Sequence, residues 1–441
     1  MAALSTSIPA PIGGINAISP IDTMAPTDAI VLENWFPETA KVTVRKGYAE
    51  HATGVGSGEV ETVMVRHGST EKLLAASATN IYDASSAGTA SSLVGSKNSG
   101  RYQSVNFGGY LVMANGADTP MHYNGSTLAN VSYTHASLTV STIKQVQSFK
   151  GRLYFAANND AKFYYLPTGS VMSTGEIIVY SGDDPSDNFV LVGSYFAGQP
   201  IGDRPLVNIG GDLIIITSQG FLPVSLLLRG GAIEEIEKTT IGKIRQAAVD
   251  STTATGSVFG WSAITDPSDN KLVVNFPVSA STTFEQYVYN ITSGAWTKFT
   301  GIPARHWARF GGVLYFGGAG GKVYKTIGTT DAGAAINVKA KQAFTYFDDR
   351  TSSKRITSIR PVIQLDGSQA FKIALDTDYS NKTLTATNHT ITGLADGSAW
   401  DVPAWDDGIW AGDATPNVLW LGQTALGRNF SLRVEASVTG Q

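Results

Sequence analysis

The 441-residue sequence contains no cysteine. Disulfides, thiolate nucleophiles and cysteine-based zinc sites are excluded together, so packing and strand pairing alone must hold the fold. Charge is also sparse: Asp, Glu, Lys and Arg make up 15% of the residues, and 32 basic against 36 acidic side chains leave a formal net charge of −4. With no basic excess, a protein that grips nucleic acid or coats anionic lipid is disfavoured. No apolar run approaches the roughly 18 residues of a membrane span. The N-terminus, "MAALSTSIPAPIGGINAISP", has no basic segment ahead of an apolar one, so the expectation is a chain neither Sec-exported nor inserted in a membrane. Helical heptads are missing too.

What is present is strand and turn material. Apolar residues reach 42%, there are 47 glycines, and Ser and Thr fill long stretches, an all-β composition. One phrase recurs: an apolar residue, two turn residues, any residue, leucine, two apolar residues. It is spelled Phe107-Gly108-Gly109-Tyr110-Leu111-Val112-Met113, and again around Leu153, Leu213 and Leu314; "SDNKLVVNF" around Leu272 and "HGSTEKLLAAS" around Leu73 are looser copies. The six leucines are spaced by 38, 42, 60, 59 and 42 residues. A second strand follows each copy and tends to carry tyrosine, at Tyr82, Tyr123, Tyr165, Tyr289 and Tyr324, with "GFLPVSLLL" as the exception in the fourth unit. Repeats of several short strands at this period predict propeller blades, each a small antiparallel sheet buried against its neighbours. A β-sandwich whose hairpins look alike is the competing reading. "NITSGAWTKF", residues 290–299, reads as a blade-edge hairpin, and the wide spacings suggest insertions near residues 168–205 and 220–260.

The register changes after Ile327. Ile336, Val338 and Ala340 alternate with polar residues, as do Phe371, Ile373 and Leu375, and Phe430 through Val438, which predicts strands with one wet face. The expected architecture is all-β: an N-terminal extended arm and first strand over residues 1–55, a propeller of about six blades over 56–330, and a smaller antiparallel β-sandwich over 331–441. Trp400, Trp405, Trp410 and Trp420 crowd a loop rich in Asp, Gly and Pro. Such rings suit either a contact surface or a plug for the open end of the sandwich.

Signals for chemistry are weak. The histidines at 51, 67, 122, 135, 306 and 389 show no metal-ligand spacing, so no metal is assigned. No nucleophile elbow, Walker loop or dinucleotide fingerprint occurs. The carboxylates of "GDDPSDN", "TDPSDN", "YFDDR" and "WDDG" sit in the ordinary vocabulary of hairpin turns, and a calcium site at Asp183, Asp184 and Asp187 lacks the loop pattern of one. Six-bladed propellers include sialidases, which clamp a carboxylated sugar with several arginines. Arg305, Arg309, Arg350, Arg355 and Arg360 all come late in the chain, and those from Arg350 onward fall outside the propeller, so no catalytic residue and no cofactor is assigned.

"GGINAISPIDTMAPTDAIVLENWFPETAKVTVRKGY" resembles the opening of the nozzle, or tail tubular protein B-like, proteins of short-tailed bacteriophages. There an arginine-lysine-glycine strand follows an Asn-Trp-Phe-Pro segment; here those are Asn34-Trp35-Phe36-Pro37 and Arg45-Lys46-Gly47. "VYNITSGAWTKF", "SKRITSIRPVIQLDG" and the Trp/Asp/Gly-rich tail agree with that family. The resemblance implies a structural virion protein made in the host bacterial cytoplasm and located in the virion tail. It would form a homohexameric ring below the adaptor ring, with tail fibres or spikes as further partners. Its channel would pass DNA without binding it specifically, retain the genome, and open on host contact. Trp35, Phe36, Trp400, Trp405 and Trp410 are the candidate subunit contacts. The alternative is a receptor-binding or glycan-handling tail propeller.

Overall fold

The computed structural model describes residues 5–439 apart from 134–137, 150–151, 159–162, 166–175, 182–189, 197–199, 203, 210–211, 219, 226–241, 280–282, 366–367, 381–387 and 393–419. Among the described residues the protein is all-β, and it divides into two compact units. One, the blade unit, comprises Ala49–Tyr287 and Gly301–Thr326; the other, the sandwich unit, comprises Met1–Tyr48, Val288–Thr300 and Ile327–Gln441.

In the blade unit, all six template leucines fall on a strand that pairs antiparallel with the strand before it, five of them in sheets of three to five strands and Leu272 in a longer sheet. These strands are Lys72–Ala76, Tyr110–Ala114, Arg152–Ala157, Asp212–Thr217, Lys271–Pro277 and Val313–Gly317. Each follows an inner partner: Thr62–Arg66, Gln103–Phe107, Ile143–Phe149, Leu206–Ile209, Ser262–Asp266 and His306–Phe310. The tyrosine strands come third, as Ile81–Asp83, Met121–Tyr123, Phe163–Tyr165, Phe284–Asn290 and Val323–Lys325, with Gly220–Pro223 in the fourth sheet. At the second sheet's turn, Gly108 and Gly109 have φ of 57° and 83°, the pair of left-handed residues that a two-residue hairpin matching strand twist requires. Phe107 and Tyr110 pair directly across it.

The apolar runs are continuous because both faces of a sheet are covered. On one face of the first sheet, Val63, Val65, Leu73 and Ala75 pack with Ala308, Tyr315 and Val323 of the sixth. On its other face, Met64, Leu74 and Ile81 pack with Leu111, Met113, Met121 and Tyr123 of the second. The second sheet's far face, through Val112 and Ala114, meets Ile143, Val146, Leu153 and Phe155 of the third. Such side-to-side burial is the construction of propeller blades. Ala49–Thr53, ahead of the first sheet in sequence, pairs with Val323–Lys325 and supplies an outer strand to the sixth.

The wide spacings hold extra elements. The first contains the hairpin Glu176–Ser181 with Val190–Phe196; the second contains the helix Arg245–Thr255, which the sequence reading lacked. Its buried positions are Ala248, Thr252 and Thr255, small residues that present no apolar stripe to read.

The main sheet of the sandwich unit continues from Phe284–Asn290 through Trp296–Phe299, Gly14–Ile15, Asp28–Glu33, Ile336–Gln342, Phe430–Val438 and Ser368–Thr377 to Asn388–Thr392. The alternation read from the sequence places Ile336, Val338, Phe371, Ile373 and Leu375 inside. Lys354–Ile359 pairs with Leu421–Gly427, and Ile359 and Leu421 pack on Phe371 and Ile373 of the main sheet, giving two layers. Segments expected to stand apart are woven in: Gly14–Ile15 and Asp28–Glu33 come from the presumed arm. Trp296–Phe299 forms the hairpin expected of residues 290–299 by pairing with Phe284–Asn290 on one edge, and on its other edge it pairs with these strands through Gly14–Trp296 and Glu33–Lys298.

Candidate functional site

Each unit gathers polar side chains. In the sandwich unit, Asn34 takes a left-handed φ of 61° between Asp28–Glu33 and Trp35–Pro37. Its Oδ1 accepts from Arg45 Nε at 2.8 Å and from the Thr300 amide at 2.8 Å, while its Nδ2 donates to the Asn337 carbonyl at 2.7 Å. Arg45 is buried, and its Nη1 and Nη2 donate to Asp331 Oδ1 and Oδ2 at 2.8 and 2.6 Å. Nη2 also donates to the Thr300 carbonyl at 2.8 Å. Gly47 completes the knot by close approach, because a Cβ there would lie 2.0 Å from the Thr330 carbonyl oxygen. Asn34, Arg45 and Gly47 of the sequence motif are thus demanded by geometry: a tolerant left-handed residue, a forked donor and a residue without a side chain.

In the blade unit a cavity of about 430 Å3 runs beside the inner strands of the sixth, first and second sheets, lined by Val63, Val65, Ser104, His306, Trp307 and Arg309 among others. His306–Phe310 packs beside Thr62–Arg66. At its inner end His306 Nδ1 accepts the Val63 amide proton at 3.2 Å, which fixes the neutral ring with its proton on Nε2. Burial, reinforced by the positive charge of Arg204, holds the His306 pKa well below the usual histidine value. Arg204 Nη2 itself donates to Thr62 Oγ1 at 3.1 Å and to the Tyr102 carbonyl, tying the starts of the first and second sheets together.

The mouth is formed by the turns that follow the inner strands. His67 Nδ1 lies 2.7 Å from Glu71 Oε1, and a carboxylate acceptor requires the proton on that nitrogen. Glu71 Oε2 accepts the Gly311 amide at 3.1 Å. That amide bond first, and the His67 bond second, hold the Glu71 carboxyl below its usual range. Arg309 adds nearby positive charge. His306 thus offers a donor at Nε2, while the contact with Glu71 requires a proton on His67 Nδ1.

The residues singled out in the sequence go elsewhere. Trp35 is half-buried against Leu32, Ala340 and Ile336, and Phe36 meets Phe299 edge to face at 6.5 Å. Trp400, Trp405, Trp410 and the Asp183, Asp184, Asp187 cluster lie outside the described residues. Trp420 is exposed, with Arg360 over its ring at 5.5 Å. Arg305 pairs with Glu59 at 2.8 Å. Asp266 and Asp349 accept from Ser268 and Thr351 in their own turns, the role that turn vocabulary implied. Among the described residues no group of three or more acidic, His or Cys side chains is placed to hold a metal, and no helix is long and apolar enough to cross a membrane. His67 and Arg309 were weighed singly in the sequence and Glu71 was not singled out, because only the meeting of the last repeat with the first brings the three together.

No protein-family model matches the chain, and no curated protein matches it in sequence. Among solved structures it is similar to the computationally designed Ika8 protein, at 10% identity over 63% of this chain and 99% of that one, with a TM-score of 0.36. It is similar to YCF48 bound to D1 peptide at 10% identity over 66% and 94%, with a TM-score of 0.34. A third is Trypanosoma rangeli sialidase in complex with sialic acid, at 8% identity over 89% and 97%, with a TM-score of 0.26. Likenesses this distant carry nothing about function, and the architecture rests on strand order.

Proposed function

We propose that the chain is a structural virion protein, the distal nozzle of a short-tailed phage, assembling as a hexameric ring with the tail adaptor around the DNA-ejection channel. The observation that supports this reading is the knot of Asn34, Arg45 and Gly47. These residues carry the family resemblance, and they stand where backbone conformation, bidentate pairing and close chain approach each restrict the residue type. A match at such positions speaks for shared architecture, whereas a match at exposed turns would speak only for turn chemistry. The net charge of −4 suits a lumen through which DNA slides, since a basic wall would gain affinity from released counterions.

The test is cryo-electron microscopy of virions that contain the chain. Six copies around the central channel at the tail tip are expected. A peripheral position with three or fewer copies per spike would overturn the proposal and favour the receptor-binding alternative.

A further inference from the structure

We infer that the cavity beside the sixth, first and second sheets is a binding site for a small hydroxylated carboxylate of the size and chemistry of a hexuronic acid. This is independent of the nozzle reading and concerns the blade unit alone.

Volume sets the first limit. About 430 Å3 lies at the lower end of the roughly 300–1,000 Å3 typical of small-molecule sites, enough for a monosaccharide-sized ligand. Charge sets the second. Arg309 lines the cavity, its forked guanidinium suiting a planar carboxylate. Glu71, also in the lining, already accepts from His67 and Gly311 with its two oxygens. Its retained negative charge favours a monoanion over a phosphate dianion, which would be repelled more strongly at the same distance.

Hydrogen bonding sets the third. His306 is locked by the Val63 amide as a donor at Nε2. Ser104, on the inner strand of the second sheet, adds a hydroxyl that serves either way. A fixed donor and an adaptable hydroxyl match sugar hydroxyls, each of which both donates and accepts. Trp307, in the same lining, is buried, with its indole N–H donated to Asn275 Oδ1 at 3.1 Å and its ring against Phe316.

The test is isothermal titration of the full chain with sodium glucuronate, glucose and inorganic phosphate at one pH and ionic strength. Saturable glucuronate binding is expected, with glucose and phosphate each at least about tenfold weaker, the loss of one charge-assisted contact worth about 1.4 kcal/mol. Arg309→Gln should weaken glucuronate by about tenfold or more, and Ser104→Ala by a few-fold. Arg309 is exposed, so its substitution should leave the melting temperature unchanged; Ser104→Ala, in the second sheet, gives a second reading. No saturation by glucuronate, equal binding of glucose, preferred binding of phosphate, or affinity unchanged in both variants would each overturn the inference.

Discussion

Arg45 and Asp331, 286 residues apart in sequence, meet through two parallel hydrogen bonds of 2.8 and 2.6 Å, with the arginine side chain 1% exposed. The pair ties the strand that follows the Asn-Trp-Phe-Pro segment to the beginning of the C-terminal region. Removing Asp331 leaves a buried guanidinium without its counter-charge, and removing Arg45 leaves the largely covered Asp331 carboxylate without its forked donor.

Arg45→Met is therefore expected to destabilise the sandwich unit by ~3–5 kcal/mol, the usual cost of orphaning a buried charge. Arg45→Lys should recover only part, because an ammonium cannot reproduce the fork that also serves Asn34 and Thr300. Guanidinium denaturation followed by tryptophan fluorescence checks this, and a loss below about 1 kcal/mol for Arg45→Met would refute it.

Two glycine substitutions should separate two kinds of requirement. At Gly109, φ is 83° and a Cβ would meet nothing within 4 Å, so Gly109→Ala should cost only the left-handed conformation, about 1–2 kcal/mol. At Gly47 a Cβ would lie 2.0 Å from one backbone atom of Thr330 and 2.5 Å from another. Gly47→Ala should then cost clearly more, read as the larger fall in melting temperature; the reverse order would contradict the close approach.

The repeated leucines are equivalent in sequence and unequal in burial: Leu111 is 1% exposed and Leu213 36%. Leu111→Ala should cost ~2–5 kcal/mol through lost burial and the cavity left behind, and Leu213→Ala about 1 kcal/mol or less. Comparing the two denaturation midpoints tests the assignment, and equal losses would argue against the arrangement of the fourth sheet.

Stability should fall on mild acidification. His306 and His51 both have pKa values lowered from 6.5, burial being the largest cause in each. Because the unfolded chain binds these protons more readily, their contribution is complete above about pH 6.5 and is lost as pH falls through the folded values. The carboxylates of Asp83, Asp118 and Glu71, held below their ordinary values, act in a separate window nearer pH 4. Melting temperatures at pH 7.5, 6.0 and 5.0 should decline steadily, and His306→Asn should flatten that decline; a flat wild-type profile would count against both assignments.

How far the sequence determined this protein follows from which interactions are local. Hairpin chemistry and alternation are local, so Gly108-Gly109, the six leucine strands and the inward set Phe371, Ile373, Leu375 could be read directly, and with them the all-β class and the blade repeat. The helix at 245–255 escaped because its buried face is built of Ala and Thr. What the tertiary structure alone decided depends on pairings across hundreds of residues, which leave no periodic trace. Arg45 could be recognised as part of a motif, but not that Asp331 would be its partner. Trp296–Phe299 forms the hairpin with Phe284–Asn290 that its sequence announces, but nothing local announces that its other edge would take Gly14–Ile15 and Asp28–Glu33. His67, Glu71, His306 and Arg309 are unremarkable singly. They become a site because His306–Phe310 packs beside Thr62–Arg66, a contact fixed by the burial of both sheets' apolar faces and not by any local preference.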